Sequence, residues 1–399
     1  MITPSFGLTA TERVLPRLAL DWTTGLAQSG VDVVRAGVAT YVDSNGLIQL
    51  ASANTQRIDW STGTAGLLVE ESRTNLVLNS VFNGASAPST GPTSWGSFLT
   101  GAITAVGTGT YVNGNKITLT CAAQRAYFFQ TITSVANTTY TITLRVNVLS
   151  GVNTMIRYIN TPTSPVGTTF TYFINNVAGT INSSVPLGVS ELKIIAVVGV
   201  LGGNLRFDCG LGVNNNITGV VEIEMPQFEA GAFDTSYIPT EATTVIRNSD
   251  VATMTGTNFS NFYNATEGGV VVHARPYVVT GTRPAVQFDD NTADEVISLR
   301  GVAADPQLFV VDGGVTQATL DAGTITANTL YKLGGAWKDA SYAVALNGAT
   351  AVTQASGTFP TATQARLGSD GTNYLNGHLQ SLRFWPQRLT NAEVQAFSK

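Results

Sequence analysis

The chain has 399 residues, of which 12% are charged and 43% are hydrophobic, and its formal net charge at pH 7 is −5. Hydrophobicity this high excludes an intrinsically disordered chain, and the length allows two or three domains with separate cores. The few scattered lysines and arginines argue against nucleic-acid binding through phosphates, and no apolar run reaches the roughly 18 residues of a membrane span.

Residues 1–76 are irregular in pattern, and we treat them as one N-terminal segment. Three charged side chains would interrupt the apolar core of a signal peptide at the start of the chain, namely Glu12, Arg13 and Arg17. We therefore expect no secretion by the usual route. Farther on, "ATYVDSNGLIQLAS" predicts two short strands joined by a tight hairpin turn at Asn45-Gly46.

The rest of the chain alternates between polar and apolar residues, with Val, Ile, Thr, Tyr and Phe runs separated by Gly and Asn turns. Such alternation predicts antiparallel strands, and many short strands with regular turns indicate jelly rolls or sandwiches. We therefore predict an all-β protein with β-sandwich domains in series at 77–245 and 246–399. The clearest runs are 139–151, 168–179, 190–203, 269–279 and 342–352.

The end of the chain predicts a strand followed by a small helix. The apolar strand stops at Pro386, which cannot continue a ladder. Thr390 and Glu393 then have the spacing of a capping box, in which the first side chain caps the helix and the second reaches back. The short helix that follows places Val394 and Phe397 on one face.

Three stretches of the sequence carry a recognisable pattern. The first two are "RAGVATYVDSNG" and "GLLVEESRTNL", and the third is "PQFEAGAFDTSYIPTEATTVIRNSDV" at 226–251. The first pair resembles a module of structural proteins of tailed bacteriophages and related particles, and the third is similar to the linker that closes the jelly roll in those proteins. The matching residues are Arg35, Ala36, Ala39, Thr40, Tyr41, Asp43, Gly46, Gly66, Leu67, Leu68, Glu70, Glu71, Arg73, Thr74, Asn75 and Leu76.

Two further resemblances concern the later segments. "NLVLNSVFNGASAPSTGPTSWGS" opens the segment 77–245 and resembles carbohydrate-binding jelly rolls of the galactose-binding type. "ARLGSDGTNYLNGHLQSLRFWPQRLTNAEV" is similar to the ending of laminin-G or concanavalin-like sandwiches. This second resemblance implies that the last strand closes a sandwich and that the small helix covers the end of its apolar core.

Sugar binding follows from these resemblances and from the residue types present. Sugars are held by aromatic faces and by amide, carboxylate and guanidinium groups that reach the hydroxyls from loops. In the jelly roll, the candidate side chains are Trp95, Tyr127 and Phe128. In the sandwich, they are Asp370, Asn373, Tyr374 and Asn376.

Catalysis has only one weak candidate in the sequence. Concanavalin-like glucanases carry a Glu-x-Asp-x-x-Glu strand, and the nearest stretch here is "EIEMPQ", with Glu222 and Glu224. Gln227 replaces the third acid, and the stretch lies in the jelly-roll segment, outside the sandwich. The pattern therefore favours a solvated strand face and a protein that is not an enzyme.

Metal, redox and cofactor chemistry find equally little support. The acidic loop 289–295 could offer oxygen ligands to calcium, but its spacing does not match a twelve-residue calcium loop, and a solvated loop is favoured. His273 and His378 lack zinc spacing. Cys121 and Cys209 could form one disulfide, although two buried free thiols are favoured. We expect no metal and no cofactor.

The sequence thus predicts a non-enzymatic structural protein on the surface of a phage-like particle: a head spike, decoration protein or short tail fibre. From the resemblance we expect assembly in the host cytoplasm, attachment to capsid or tail proteins through residues 1–76, contact with host surface polysaccharide, and a homotrimer. No nucleic acid and no membrane insertion are expected. A purely architectural cement protein is the main alternative, and a glycan depolymerase is the weaker one.

Overall fold

The structure is a computed structural model that describes residues 15–99, 102–151, 165–180, 183–211 and 217–399. The start of the chain, with Glu12 and Arg13 of the signal-peptide argument, lies outside the described residues. Contacts divide the chain into two compact units. The central unit contains Val34–Thr64 and Glu70–Asp250, and the C-terminal unit contains the described residues up to Val33, Ala65–Val69 and Val251–Lys399. The described part of 1–76 contributes to both units, and the predicted three-domain division stays a prediction.

Most of the regular structure is β-strand, which confirms the predicted all-β class. Strands of the N-terminal segment are β1 (Leu18–Asp21), β2 (Asp32–Val34), β3 (Ala39–Val42), β4 (Ile48–Ala51), β5 (Ile58–Asp59), β6 (Gly66–Val69) and β7 (Arg73–Asn75). The next are β8 (Gly96–Leu99), β9 (Ala102–Thr108), β10 (Asn115–Gln124), β11 (Ala126–Ser134), β12 (Thr139–Ser150), β13 (Thr169–Ile174), β14 (Val177–Gly179), β15 (Gly188–Val197), β16 (Gly203–Leu211) and β17 (Ile217–Ala230).

The remaining strands are β18 (Val245–Arg247), β19 (Val251–Met254), β20 (Glu267–Pro276), β21 (Thr282–Asp289), β22 (Val296–Val302), β23 (Asp305–Asp312), β24 (Val315–Asp321), β25 (Tyr331–Lys338), β26 (Ser341–Leu346), β27 (Val352–Gln354), β28 (Gln364–Leu367) and β29 (Gly377–Trp385). Short helices are α1 (Gly256–Ser260) and α2 (Asn391–Phe397), and a 3-10 turn covers Trp22–Thr24. Among the described residues, no helix has the length and apolar character to cross a membrane.

The central unit is built from a large and a small antiparallel sheet. The large sheet has the order β14-β13-β15-β12-β17-β10-β9, and the small one has the order β16-β11-β8. Alternation along β12 sends its apolar side chains inward, as predicted, while Arg145 and Asn147 remain half-buried on the other face. Inward residues of both sheets, such as Leu144 and Phe207, share one apolar core.

The predicted hairpin at Asn45-Gly46 is present in the central unit. Strands β3 and β4 pair antiparallel, and the backbone N–H of Gly46 donates to the carbonyl of Asp43 over 3.0 Å. Gly46 has a φ of +79°, a left-handed conformation that glycine adopts at little cost. The Asp43 carboxylate accepts hydrogen bonds from the N–H groups of Asn45 and Leu47 and closes the turn.

The C-terminal unit is a sandwich of two many-stranded sheets. One has the order β27-β26-β25-β20-β29-β6, with β1 also paired to β29, and the other has the order β2-β19-β28-β21-β22-β23-β24. The ring of Phe288 on β21 lies 5.6 Å from Trp337 on β25 and 5.5 Å from Phe384 on β29, so the two sheets pack face to face. Strand β29 is an inner strand of its sheet, paired with β20 and with β1 and β6, and its Phe384 packs between the two sheets.

Helix α2 has the predicted capping box, but it does not cover the end of the sandwich core as predicted. The Thr390 side chain accepts from the N–H of Glu393, and the Glu393 carboxylate accepts from the N–H of Thr390. Buried Val394 packs with Val271 and Trp385 in a small cluster separate from the sandwich core. Because strand neighbours point to opposite faces, this cluster lies outside the sheet, and the helix covers that outer face instead of the core's end.

A buried ion network lies within the central unit. Asp250 accepts from Arg35 over 2.8 Å and also from Arg57. Glu70 pairs with Arg57 over 2.8 Å and with Arg247 over 3.3 Å. At most 1% of each residue is exposed, so three cations and two anions are held away from water. Removing one partner of such a group leaves an uncompensated buried charge.

The network explains the sequence pattern physically. Arg35 and Glu70 come from the first two patterned stretches, whereas Arg247 and Asp250 come from the third. Asn75 adds a further connection, because its Nδ2 donates to the carbonyl of Ile238 over 2.8 Å. These patterned polar residues hold the unit together from within, so contact with another protein would have to use other residues of the segment.

We predict that Glu70→Gln lowers the free energy of unfolding of the central unit by about 3–5 kcal/mol, because it leaves Arg57 and Arg247 without their shared carboxylate. Urea unfolding followed by near-UV circular dichroism measures this. Glu241→Gln, at an exposed carboxylate of the same unit, is the matched control and should leave the midpoint unchanged.

The same carboxylate predicts a pH dependence. Burial alone would raise the pKa of Glu70. The charges of Arg247 and Arg57 and the hydrogen bonds from Ser236 outweigh burial and lower this pKa to about 2 from its ordinary 4.5. The carboxylate therefore stabilises the fold fully above pH 4.5, and this contribution is lost as the pH falls towards 2. The stability gap between wild type and Glu70→Gln should narrow over that range; a gap that is constant from pH 7 to 2 contradicts the assignment.

Candidate functional site

The outer face of the sheet that contains β21 carries polar and aromatic side chains. In β21 and β28, the apolar residues Val286 and Leu367 point into the core, so their sequence neighbours Gln287 and Arg366 point outward. The pairing register places Gln287 opposite Arg366 and opposite Ser298, which in turn lies opposite Phe309. We call this surface the polar face and define it by Gln287, Asp289, Arg300, Phe309 and Arg366.

Asp289 organises one side of the polar face. Its carboxylate accepts hydrogen bonds from Arg366 Nε at 2.9 Å, Gln287 Nε2 at 2.9 Å and Gln364 Nε2 at 2.6 Å. The backbone N–H of Asn291 donates to it as well, over 2.9 Å. The residue is 1% exposed, and its four donors use the carboxylate fully. Asp289 therefore has a structural role and holds Arg366 in position.

Arg300 is held differently. Its guanidinium carbon lies 3.5 Å from the centroid of the Phe309 ring, and its Nε is buried without a hydrogen-bond partner. Partial burial lowers the pKa of Arg300, while the negative charge of Asp370 acts in the opposite direction. The contact is a cation–π stack that orients the guanidinium without using its N–H donors.

The loop 369–376 lies beside this face. Asp370 accepts from the N–H groups of Thr372 at 2.9 Å and Asn373 at 2.6 Å, and from Asn373 Nδ2 at 2.9 Å. A Cβ on Gly371 would lie 3.6 Å from the guanidinium carbon of Arg366, so the loop reaches the polar face. Asn373 and Tyr374 of this loop are half-buried.

The structure thus brings together three of the four sandwich candidates, Asp370, Asn373 and Tyr374. The fourth, Asn376, is fully buried in a left-handed conformation with a φ of +47°, and its carbonyl accepts from the N–H of Tyr277. Asn376 therefore has a structural role in the conformation of the loop. Whether any of the four binds a sugar stays a prediction.

Of the three jelly-roll candidates, Trp95 and Phe128 lie in the core of the central unit, and Tyr127 is buried on the other face of β11 beneath the guanidinium of Arg206. Trp95 is 8% exposed, its ring lies 5.5 Å from Phe82, and its Nε1 donates to the carbonyl of Asn79. Phe128 is fully buried beside Phe82, and Tyr127 is 6% exposed. None of these rings offers an open face for stacking on a sugar, so we do not carry them into the functional proposal.

Sequence reasoning missed Arg300 and Phe309. Alternation in "VISLRGV" and "DPQLFVVD" predicts that each points away from the core. Their contact depends on the register between β22 and β23, which pairs Ser298 with Phe309 and Arg300 with Gln307. No local pattern specifies that register, so sequence alone does not bring the two side chains together.

The candidate acids of catalysis are engaged in ion pairs. Glu222 pairs with Lys116 over 2.8 Å, and Glu224 pairs with Arg145 over 3.0 Å. Although burial acts against it, hydrogen bonds from Lys116 and Asn147 lower the pKa of Glu222. The catalytic acid of a glycosidase needs a raised pKa to keep its proton. The pKa of Glu222 is shifted in the opposite direction.

The acidic loop uses its carboxylates for its own conformation. Asp290 accepts from the N–H of Thr292, and Glu295 accepts from the N–H groups of Gly313 and Thr361. Within the described ranges, no three His, Cys, Asp or Glu side chains are grouped closely enough to hold a metal ion. The preference for a solvated loop over a calcium site at 289–295 stays a prediction.

The cysteines and histidines are structural in their surroundings. Cys121 and Cys209 are free thiols in the central core, as the sequence favoured. His378 is fully buried, and the hydroxyl of Tyr277 lies 3.3 Å from its Nδ1. Burial is the main reason that the pKa of His273 falls to about 4. His273 is therefore neutral near pH 7 and packs as an uncharged ring.

Comparison with known proteins finds distant structural likenesses. No protein-family model and no curated protein matches the sequence. The CBM40 domain of the Ruminococcus gnavus IT-sialidase, bound to α2,3-sialyllactose, is 15% identical with a TM-score of 0.30, over 34% of this chain and 84% of that one. Mouse laminin α1 domains LG4-5 are 9% identical with a TM-score of 0.25, over 68% of this chain and 89% of that one. TM-scores of this size do not define a shared fold or site.

We predict that calcium does not stabilise the protein. The Asp289 carboxylate is fully used by four protein donors, so an ion would have to displace them. The melting temperature should therefore be equal in EDTA and in about 1 mM calcium chloride, a concentration that saturates many extracellular calcium sites. A rise in melting temperature that disappears in Asp289→Asn would show that the acidic loop does bind the ion.

Proposed function

We propose that the protein is a non-enzymatic attachment protein that binds host surface polysaccharide through the polar face and the loop 369–376. The observation that carries this proposal is that the loop 369–376 reaches the polar face: Gly371 lies beside Arg366, and the charge of Asp370 acts on Arg300, which is stacked on Phe309. Amide, hydroxyl and guanidinium groups next to an aromatic ring on a rigid sheet are the groups that recognise sugars.

The setting we propose is the surface of a phage-like particle, assembled in the host cytoplasm. The support is the patterned sequence that resembles structural phage proteins, together with the folding of its three stretches around one ion network. We propose further that residues 1–76 contact other virion proteins and that the protein is a homotrimer. Weak glycan contacts would then gain avidity from the number of linked copies.

One observation favours a second function, architectural cementing without glycan binding. The central unit has a small apolar cleft of about 30 Å³, lined by Val38, Ala39, Leu50, Tyr237, Ile238, Pro239, Val245 and Arg247. At its rim, Val38 is 54% exposed and Leu50 is 40% exposed. Two large apolar side chains beside a cleft suit packing against a neighbouring protein.

A glycan depolymerase is the least supported function, because both carboxylates of the Glu222–Glu224 pair are bound to cations. We expect no release of reducing sugar when host capsule is incubated with the protein. Release that is lost in Glu222→Gln or Glu224→Gln would establish the enzyme instead.

Competition for cell binding tests the attachment function. Binding of protein-bearing particles to host cells should fall when free host polysaccharide is added, since the soluble glycan occupies the same site. The double variant Asn373→Ala/Tyr374→Ala should lower cell binding at least about tenfold, which corresponds to 1.4 kcal/mol. Thr353→Ala, at an exposed position of β27, is the control and should bind like wild type. Binding that persists at high polysaccharide concentration removes the attachment function and leaves the architectural one.

A further inference from the structure

We propose that Arg300 is a specificity-determining residue that binds the carboxylate of an acidic sugar, so that the polar face selects uronic-acid polysaccharides over neutral ones. The inference rests on the proposed glycan-binding function and adds the chemical class of the ligand. It depends on how Arg300 is held and on what its neighbours leave unbound.

Arg300 differs from the other arginines near the site in its hydrogen bonding. Arg366 donates to Asp289 and Asn291, and Arg283 donates to the carbonyl of Tyr374. Among the described residues, Arg300 makes no hydrogen bond and no ion pair. Its guanidinium carbon lies 3.5 Å from the centroid of the Phe309 ring, a cation–π contact. Its planar set of N–H donors is therefore intact and already oriented.

The charge of Arg300 is also left without a direct partner. Asp370 is near enough to influence it electrostatically, but both oxygens of Asp370 accept hydrogen bonds from the loop's own N–H groups and from Asn373 Nδ2. Arg300 is half-buried, so part of its hydration has been given up. A ligand anion that pairs with it would replace that lost hydration.

The shape of the group favours a carboxylate. A guanidinium presents two parallel N–H donors that match the two oxygens of a carboxylate, and stacking on an aromatic ring fixes its plane. A neutral sugar hydroxyl would leave the charge unpaired. A dense polyanion would meet Asp370 beside the site and a chain whose net charge is −5, so isolated carboxylates along a polysaccharide fit better than closely spaced sulfates.

Matched polysaccharides test the inference. Binding of the full chain would be measured by biolayer interferometry to hyaluronan and polygalacturonate, to the carboxyl-reduced form of each, to dextran and to dextran sulfate. Wild type should bind at least one uronate polymer about tenfold more tightly than its carboxyl-reduced form, the discrimination of one charge-assisted hydrogen-bonded pair. Arg300→Gln should remove this ratio.

Three variants distinguish recognition by the two parallel N–H donors of Arg300 from attraction by its positive charge alone. Arg300→Lys keeps the charge without the planar donors and should recover only part of the ratio. Phe309→Leu removes the ring beneath the guanidinium and should lower the ratio without unfolding the sandwich, which circular dichroism checks. Arg383→Gln removes an equal charge from an exposed position on β29 and should leave the ratio unchanged.

The outcomes distinguish this inference from the proposed function. Equal binding of uronate and carboxyl-reduced polymers, a ratio that survives Arg300→Gln, binding to dextran sulfate alone, or no binding to either uronate overturns the role of Arg300. Attachment to host cells that free polysaccharide still competes away would leave the proposed function standing in each of these cases. If competition also fails, the glycan-binding function itself is wrong.

Discussion

The buried network of Arg35, Arg57, Glu70, Arg247 and Asp250 is the constraint on which the central unit depends. Each charge in it has lost its hydration, and partners from separate parts of the chain compensate that loss. The network can therefore form only when residues far apart in the chain are all in place. It makes the first two patterned stretches and the closing linker parts of one folded unit.

Burial gives the residues of this network a structural role and keeps them away from the surface of the central unit. The most recognisable polar residues of the N-terminal segment face inward, and the surface of the same unit presents an apolar cleft instead. Both units have apolar cores, and the C-terminal unit in addition carries the polar face on the outside of a sheet.

The arginines illustrate how position decides the role of one residue type. Arg57 is enclosed by carboxylates and stabilises the fold, and Arg366 is bound to Asp289 and supports the polar face. Arg300 lies on a phenyl ring with its donors unused, which is a costly arrangement for a structural residue and a suitable one for a binding residue. Composition and net charge do not distinguish these three cases.

The sequence by itself determined the all-β class, the strands with alternating side chains, the hairpin at Gly46 and the capping box of Thr390, because each depends on residues close together in the chain. Only the tertiary structure decided that Trp95 and Phe128 are core, that helix α2 covers an outer sheet face, and that Arg300 meets Phe309. These outcomes depend on sheet order and strand register, which long-range packing sets and local spacing does not encode.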